Sequence, residues 1–321
     1  MSTLREFPMK KTAFSALCLL ALLFLPSFIP RYYVYLLSLI AVAGLLALSL
    51  NLVLGFGGMY QFHHAVFYGV GAYTCALMFT KTDLPAWLCF LSGPVLAAFL
   101  GLIMGLICLR LIKLYFGMLQ ISLGSLVWAI VFRWYSFTGG DNGIHGIPVP
   151  AALSSTSGAY YFAVAVAALC ILLMYTIIQS PFGKTLQSIR DNPERSQAVG
   201  VNVRLHQLIG LILASFFGGV AGILFVAVEG SVFPDLLFWT LSLEILIMCL
   251  LGGWFTFLGP LFGAAIIVSL RTVVGTYTEY WTMIMGIVLV LLIFFLPQGV
   301  LGYLVDKLSS GRKYEVREGE I

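Results

Sequence analysis

The chain has 321 residues, 61 % hydrophobic and 9 % charged, with a mean hydropathy of +1.03 and a formal net charge of +4. A soluble domain carries about 25 % charged residues, so this chain has too few charges to cover a water-facing surface and reads as an all-α integral membrane protein. The six cysteines, at 18, 75, 89, 108, 170 and 249, fall inside apolar runs without a CxxC pair, which points to neither a disulfide framework nor a zinc site.

A helix needs roughly 20 apolar residues to cross the hydrocarbon core. About ten such runs follow one another, near 12–30, 32–54, 61–79, 86–110, 116–137, 159–179, 207–228, 236–251, 259–275 and 282–297. Lys10 and Lys11 precede the first, but Pro26 to Arg31 offers no small-x-small cleavage site, so an uncleaved anchor is expected there. The whole chain, 1–321, reads as one transmembrane domain, with a charged loop at 180–206 and a mixed-charge tail at 303–321.

Sidedness follows from Lys and Arg. With the N-terminus inside, one set of loops takes Arg5, Lys10, Lys11, Arg110, Lys113, Lys184, Arg190, Arg195, Arg204, Lys307, Arg312, Lys313 and Arg317. The other takes Arg31, Lys81, Arg133 and Arg271, so thirteen and four account for all 17. Both termini and the 180–206 loop are therefore expected to be cytoplasmic. The positive balance is this inside bias and does not suggest nucleic acid.

The loop SPFGKTLQSIRDNPERSQAVGVNVRLH, Ser180 to His206, is too organised for a plain connection. Asp191 and Asn192 suit a helix cap, Pro193 the first helical position, Glu194 the first turn and Gly200 the end. Gly183-Lys184-Thr185 looks like the end of a Walker A loop, but Ile178 stands where the earlier glycine is needed and no strand precedes it. No nucleotide site is expected.

The first five runs start inside and the last five start outside, the orientation arithmetic of an inverted repeat. Glycine breaks interrupt apolar sequence at Gly55, Gly57 and Gly58 and again at Gly252 and Gly253. Broken helices near the midplane line substrate paths in many transporters, and close helix packing is the plainer account. His63 and His64 are adjacent, so on a helix they point about 100° apart and do not converge on one ion; a polar patch along a pathway fits them better than a metal. Glu244 sits mid-span, where a carboxylate is a functional candidate by default and a structural ion pair is the competing account. Arg133, beside Trp134 and Tyr135, reads as an interfacial anchor.

Taken together, LNLVLGFGG (50–58), HAVFYGVGAY (64–73), TGGDNGIHGIP (138–148), the 180–206 loop, WTLSLEILIMCLLGGWFTFLGPLFGAA (239–265) and FFLPQGVLG (294–302) resemble the permease subunits of branched-chain amino acid ABC importers, specifically the second of two homologous permeases. The resemblance covers nearly the whole chain. It implies a bacterial-type inner-membrane location and transport of branched-chain or similar apolar amino acids, without enzymatic activity or a cofactor in this chain. The implied partners are a second permease, two cytoplasmic ATPase subunits and an external solute-binding protein. Arg190, Asp191, Asn192, Pro193, Glu194, Arg195 and Gly200 would form the ATPase-coupling region, and 138–148 would face the binding protein. Where the family commonly reads G-Q-I-S-L-G-H-A, this chain has Gln61 for the serine and His63 for the glycine. The expected pathway set is Gly57, Gly58, Gln61, His63, His64, Glu244, Gly252 and Gly253. Related permeases move urea or short amides. A secondary transporter using Glu244, or a membrane enzyme using His63 and His64, would instead act without partners.

Overall fold

The computed structural model describes residues 29–278 apart from residue 112, together with Pro26 and several positions between 280 and 290. Eight of the ten apolar runs fall on these residues, and each forms a helix. Most of the first and last runs, and all of the 303–321 tail, lie outside them.

The long helices are α1 (Arg31–Asn51), α2 (Ala65–Lys81), α3 (Ala86–Cys108), α4 (Lys113–Arg133) and α5 (Thr156–Gln179). A short pair follows, α6 (Pro181–Asp191) and α7 (Pro193–Ala198), then α8 (Val203–Glu229), α9 (Trp239–Gly252) and α10 (Gly259–Tyr277). Among the described residues, six helical segments are long and apolar enough to cross a membrane; α1 reaches that length with a π-helical turn, Leu52–Phe56, that continues it. At 14 residues α9 spans about 21 Å, short of the hydrocarbon thickness.

Position within the bundle follows from side-chain size. The apolar windows of α8 and α1 are 72 % and 67 % buried, whereas those of α3, α4, α5 and α10 are 22–33 % buried, so the first two form the centre and the others ring them. The centre is built by close backbone approach rather than by bulk. A Cβ on Gly71 of α2 would lie 2.6 Å from the Gly219 Cα of α8, and one on Gly93 of α3 would lie 2.5 Å from the Gly71 carbonyl oxygen. Three helices thus cross where each contributes a glycine, the packing that apolar solvent favours because bulk hydrophobicity cannot drive association there.

The two ends of the bundle differ. At one end, α6 and α7 project with the Arg110, Arg190 and Arg204 side chains; this is the basic end. At the other, the 138–148 segment is tied down by a two-stranded ribbon, β1 (Ile144–His145) against β2 (Ser231–Val232), antiparallel. Ile147 N–H also donates to the Gly230 carbonyl at 3.0 Å, and Lys81 caps the Phe137 carbonyl at 2.8 Å. Gly139, Gly140, Gly143 and Gly146 all take positive φ, which allows four changes of direction in eight residues.

Candidate functional site

Two polar regions stand out in a molecule made mostly of apolar contacts. The first is at the basic end. Ser180 ends α5 in an extended conformation and accepts a hydrogen bond from Gly183 N–H, and Pro181 takes the first position of α6. One face of α6, Gly183, Leu186 and Ile189, is buried. Asn192 then breaks the helix and restarts it: its side-chain oxygen accepts from Arg195 N–H at 2.8 Å, with Pro193 and Glu194 in the first turn of α7. Gly200, at φ +90°, turns the chain back toward α8. The segment that looks like a Walker A ending is therefore a helix start packed on the carbonyls of Ile177 and Ile178. In α7 only Ser196 is buried, and the adjoining Val199 is 77 % exposed.

Arg190, at the end of α6, ties this region to both glycine breaks. Its Nη1 donates to the Gly55 carbonyl at 2.9 Å, its guanidinium lies 5.4 Å from the Phe255 ring centroid, and its Nε and Nη2 donate to the neighbouring Asp191. Gly58 adopts φ +65° directly against it: a Cβ there would sit 2.7 Å from the Arg190 Cγ. The breaks also meet each other. Asn51 Nδ2 donates to the Thr256 carbonyl at 3.3 Å, and a Cβ on Gly55 would collide with the Trp254 carbonyl oxygen. Gly253 takes φ +101°, and Gly252 is pressed on the Gly259 carbonyl. A cavity of about 1210 Å³ opens beside this junction, lined by Gly57, Gly58, Phe116, Arg190, Asn192 and Arg204 among others. Both breaks thus meet beside the charged loop, α1 and its π-helical turn reaching Gly55 after a membrane-length run and α9 reaching Gly252 after 14 residues.

The second region is buried among α1, α2 and α4. Ser49 Oγ donates to the Leu46 carbonyl at 2.7 Å, which leaves its oxygen to accept from His64 Nε2–H at 2.7 Å. His64 Nδ1 then accepts from Gln61 Nε2 at 2.9 Å. His64 is fully partnered in this chain of bonds. His63 turns the other way, against Gly124 of α4, where a Cβ would approach its ring within 2.5–2.8 Å. His63 Nδ1, Gln61 Oε1 and both amide atoms of Gln120 are buried with no hydrogen-bond partner among the described residues. Such a group costs about 1–3 kcal/mol when left unsatisfied. Glu244 is elsewhere, paired with the half-exposed Arg271 at 3.5 Å. Among the described residues no group of three metal-ligating side chains converges, and the described cysteines, Cys75, Cys89, Cys108, Cys170 and Cys249, are buried and free.

The architecture is a bundle of apolar helices, and sequence comparison decides which kind. The family model described as "Branched-chain amino acid transport system / permease component" matches residues 32–293. The chain belongs to this family. Among its relatives, the high-affinity branched-chain amino acid transport system permease protein LivM of Escherichia coli is 28 % identical over 303 residues, covering 86 % of this chain and 71 % of that protein. The probable branched-chain amino acid transport permease protein LivM of Methanocaldococcus jannaschii is 23 % identical over 298 residues, covering 82 % and 81 %. The guanosine ABC transporter permease protein NupQ of Bacillus subtilis is 29 % identical over 80 residues, a quarter of each chain. No solved structure matches.

Within this permease the structure sorts the residues singled out from the sequence. Gly57, Gly58, Gly252 and Gly253 join Arg190–Gly200 at the basic end. Gln61, His63 and His64 cluster in the interior, and Glu244 stands apart from both. Gln120 escaped the sequence reading, although a glutamine in the apolar run 116–137 was a visible signal. Arg190 was assigned to the loop, and its bond to Gly55, 135 positions away, had no local signature.

Proposed function

We propose that this chain is the transmembrane permease subunit of an ATP-driven importer of branched-chain or similar apolar amino acids. It would work in a bacterial-type inner membrane with a second homologous permease, two cytoplasmic ATPase subunits and an external solute-binding protein. The observation that carries the reading is the basic end: a capped helix, α7, exposed on nearly every side and joined through α6 and Arg190 to the two helix breaks. An exposed helix so firmly connected to the bundle is suited to receive a push and pass it on. The basic end is then the cytoplasmic one, in keeping with the thirteen-to-four distribution of Lys and Arg.

ATP hydrolysis belongs to the partners in this reading, and the permease supplies alternating access to a path. The 138–148 segment, held to the far end of α8 by its ribbon, would receive the loaded binding protein. Gly57, Gly58, Gly252 and Gly253 would then act as the joints that move, while Gln61 and His63 would face the solute and His64 would hold Gln61 in position. Glu244 is read as a structural partner of Arg271.

The test is reconstitution. Purification from native membrane should bring down a pair of ATPase subunits. Leucine uptake into proteoliposomes should need ATP, the second permease and the binding protein. Leucine uptake by this chain alone, driven by a proton or sodium gradient, would sink the reading.

A further inference from the structure

We propose that one face of α4, centred on Gln120, is the solute-binding surface of the path, and that it takes small net-neutral solutes bearing both hydrogen-bond donors and acceptors. This rests on the transport reading above and deepens it. Gly117, Gln120 and Gly124 recur at i, i+3 and i+7, so they share one side of the helix. The glycines show what that side meets: a Cβ on Gly117 would reach the Phe62 ring and the Tyr60 carbonyl at 2.5–2.7 Å, and one on Gly124 would reach the His63 ring. Gln120 therefore looks onto the Tyr60–His63 segment from between two points of near contact.

Gln120 is 0 % exposed, and both its amide oxygen and its amide nitrogen lack a partner among the described residues. Across from it, Gln61 spends its Nε2 on His64, and its oxygen and His63 Nδ1 have no partner among the described residues. One turn beyond Gly124, the indole N–H of Trp128 is also buried and without a partner among the described residues, its ring against Phe238 at 4.9 Å. At its other end this face starts with Phe116, which lines the basic-end cavity. From Phe116 to Trp128 the helix rises about 18 Å, so the unpartnered groups form a track leading away from that cavity. Buried polar groups without a partner are exceptional in native proteins and call for an explanation, of which a bound solute is one. Here they are the two glutamines, a histidine and an indole, with no carboxylate or ammonium. Such a set offers donors and acceptors together and no net charge. It suits a zwitterionic amino acid, whose charges sum to zero, and disfavours solutes of net charge.

The experiment uses the complete complex of both permeases, the ATPases and the binding protein. Gln120→Leu removes both amide atoms at nearly constant volume. If Gln120 only packs, the change relieves two unsatisfied groups and leaves leucine uptake at wild-type rate, which would overturn the proposal. If Gln120 holds solute, uptake falls at least tenfold while the thermal midpoint of the complex stays level or rises. Gln120→Cys provides a readout independent of uptake. A hydrophilic methanethiosulfonate should label it, above the wild-type background, in either the resting or the vanadate-trapped complex, and saturating leucine should slow the labelling. No labelling in either state would overturn the proposal. Wild-type complex that moves guanosine but not leucine would refute the amino-acid reading alone and support a net-neutral site. Transport confined to net-charged solutes would refute the site.

Discussion

Arg190→Ala should loosen the junction between the two glycine breaks without unfolding the permease. The side chain makes one charge-assisted hydrogen bond to Gly55, worth about 1.5–3 kcal/mol. It makes a cation–π contact with Phe255, worth about 0.5–1 kcal/mol near a surface. Its pair with Asp191 adds little, because that carboxylate is 68 % exposed. Arg190 is itself 26 % exposed, so the low end of the sum, about 2 kcal/mol, is the appropriate figure. Since 1.4 kcal/mol is a factor of ten, local opening should become roughly 30-fold more frequent. Hydrogen–deuterium exchange read on peptides covering residues 52–60 and 252–258 measures this directly. Both should exchange faster, whereas peptides from the Gly71–Gly219 crossing should not change. Arg190→Lys should fall between, since an ammonium can reach the carbonyl but loses the planar group over Phe255. Unchanged exchange in both break segments of Arg190→Ala would refute the claim that this residue holds them. In the assembled complex the same variant should lose most stimulation of ATPase activity by loaded binding protein.

Asn192→Ala combined with Pro193→Gly removes the cap of α7, worth about 1 kcal/mol, and should lower ATPase stimulation while membrane insertion persists; normal stimulation would argue against α7 as the contact. Glu244→Gln should retain most uptake, because the amide can still accept from Arg271 across the 3.5 Å gap, and uptake by either form should be indifferent to a collapsed proton gradient. Gly58→Val and Gly253→Val, both at positive φ, should reduce uptake normalised to folded permease by more than Gly275→Ala, whose Cβ would meet nothing within 4 Å. Gly101 and Gly105 lie in an uninterrupted run but are not neutral controls: a Cβ on Gly101 would strike Ser215 and one on Gly105 would lie 2.5 Å from Leu208, so both variants should also lose folded protein.

The Gly101 and Gly105 case shows where local reading stops. Hydropathy alone located eight helices that the structure forms, because a bilayer demands long apolar runs whatever packs beside them. The start of α7 was equally legible, since capping by Asn192 and Pro193 involves only residues three positions apart. The family was legible from motifs spread along the chain. Sequence could not say that the breaks at Gly55–Gly58 and Gly252–Gly253 meet, nor that Arg190 joins them, because those contacts link positions 135 and about 200 residues apart. It also could not separate His63 from His64. Only the fold sets one ring in a closed chain of hydrogen bonds with Ser49 and Gln61 and turns the other toward α4. Gln120 is the sharpest instance: its residue type was plain, but whether a glutamine in a membrane helix faces lipid, a partner or a path depends on which neighbours the tertiary structure brings to it, and those neighbours lie some 60 positions earlier in the chain.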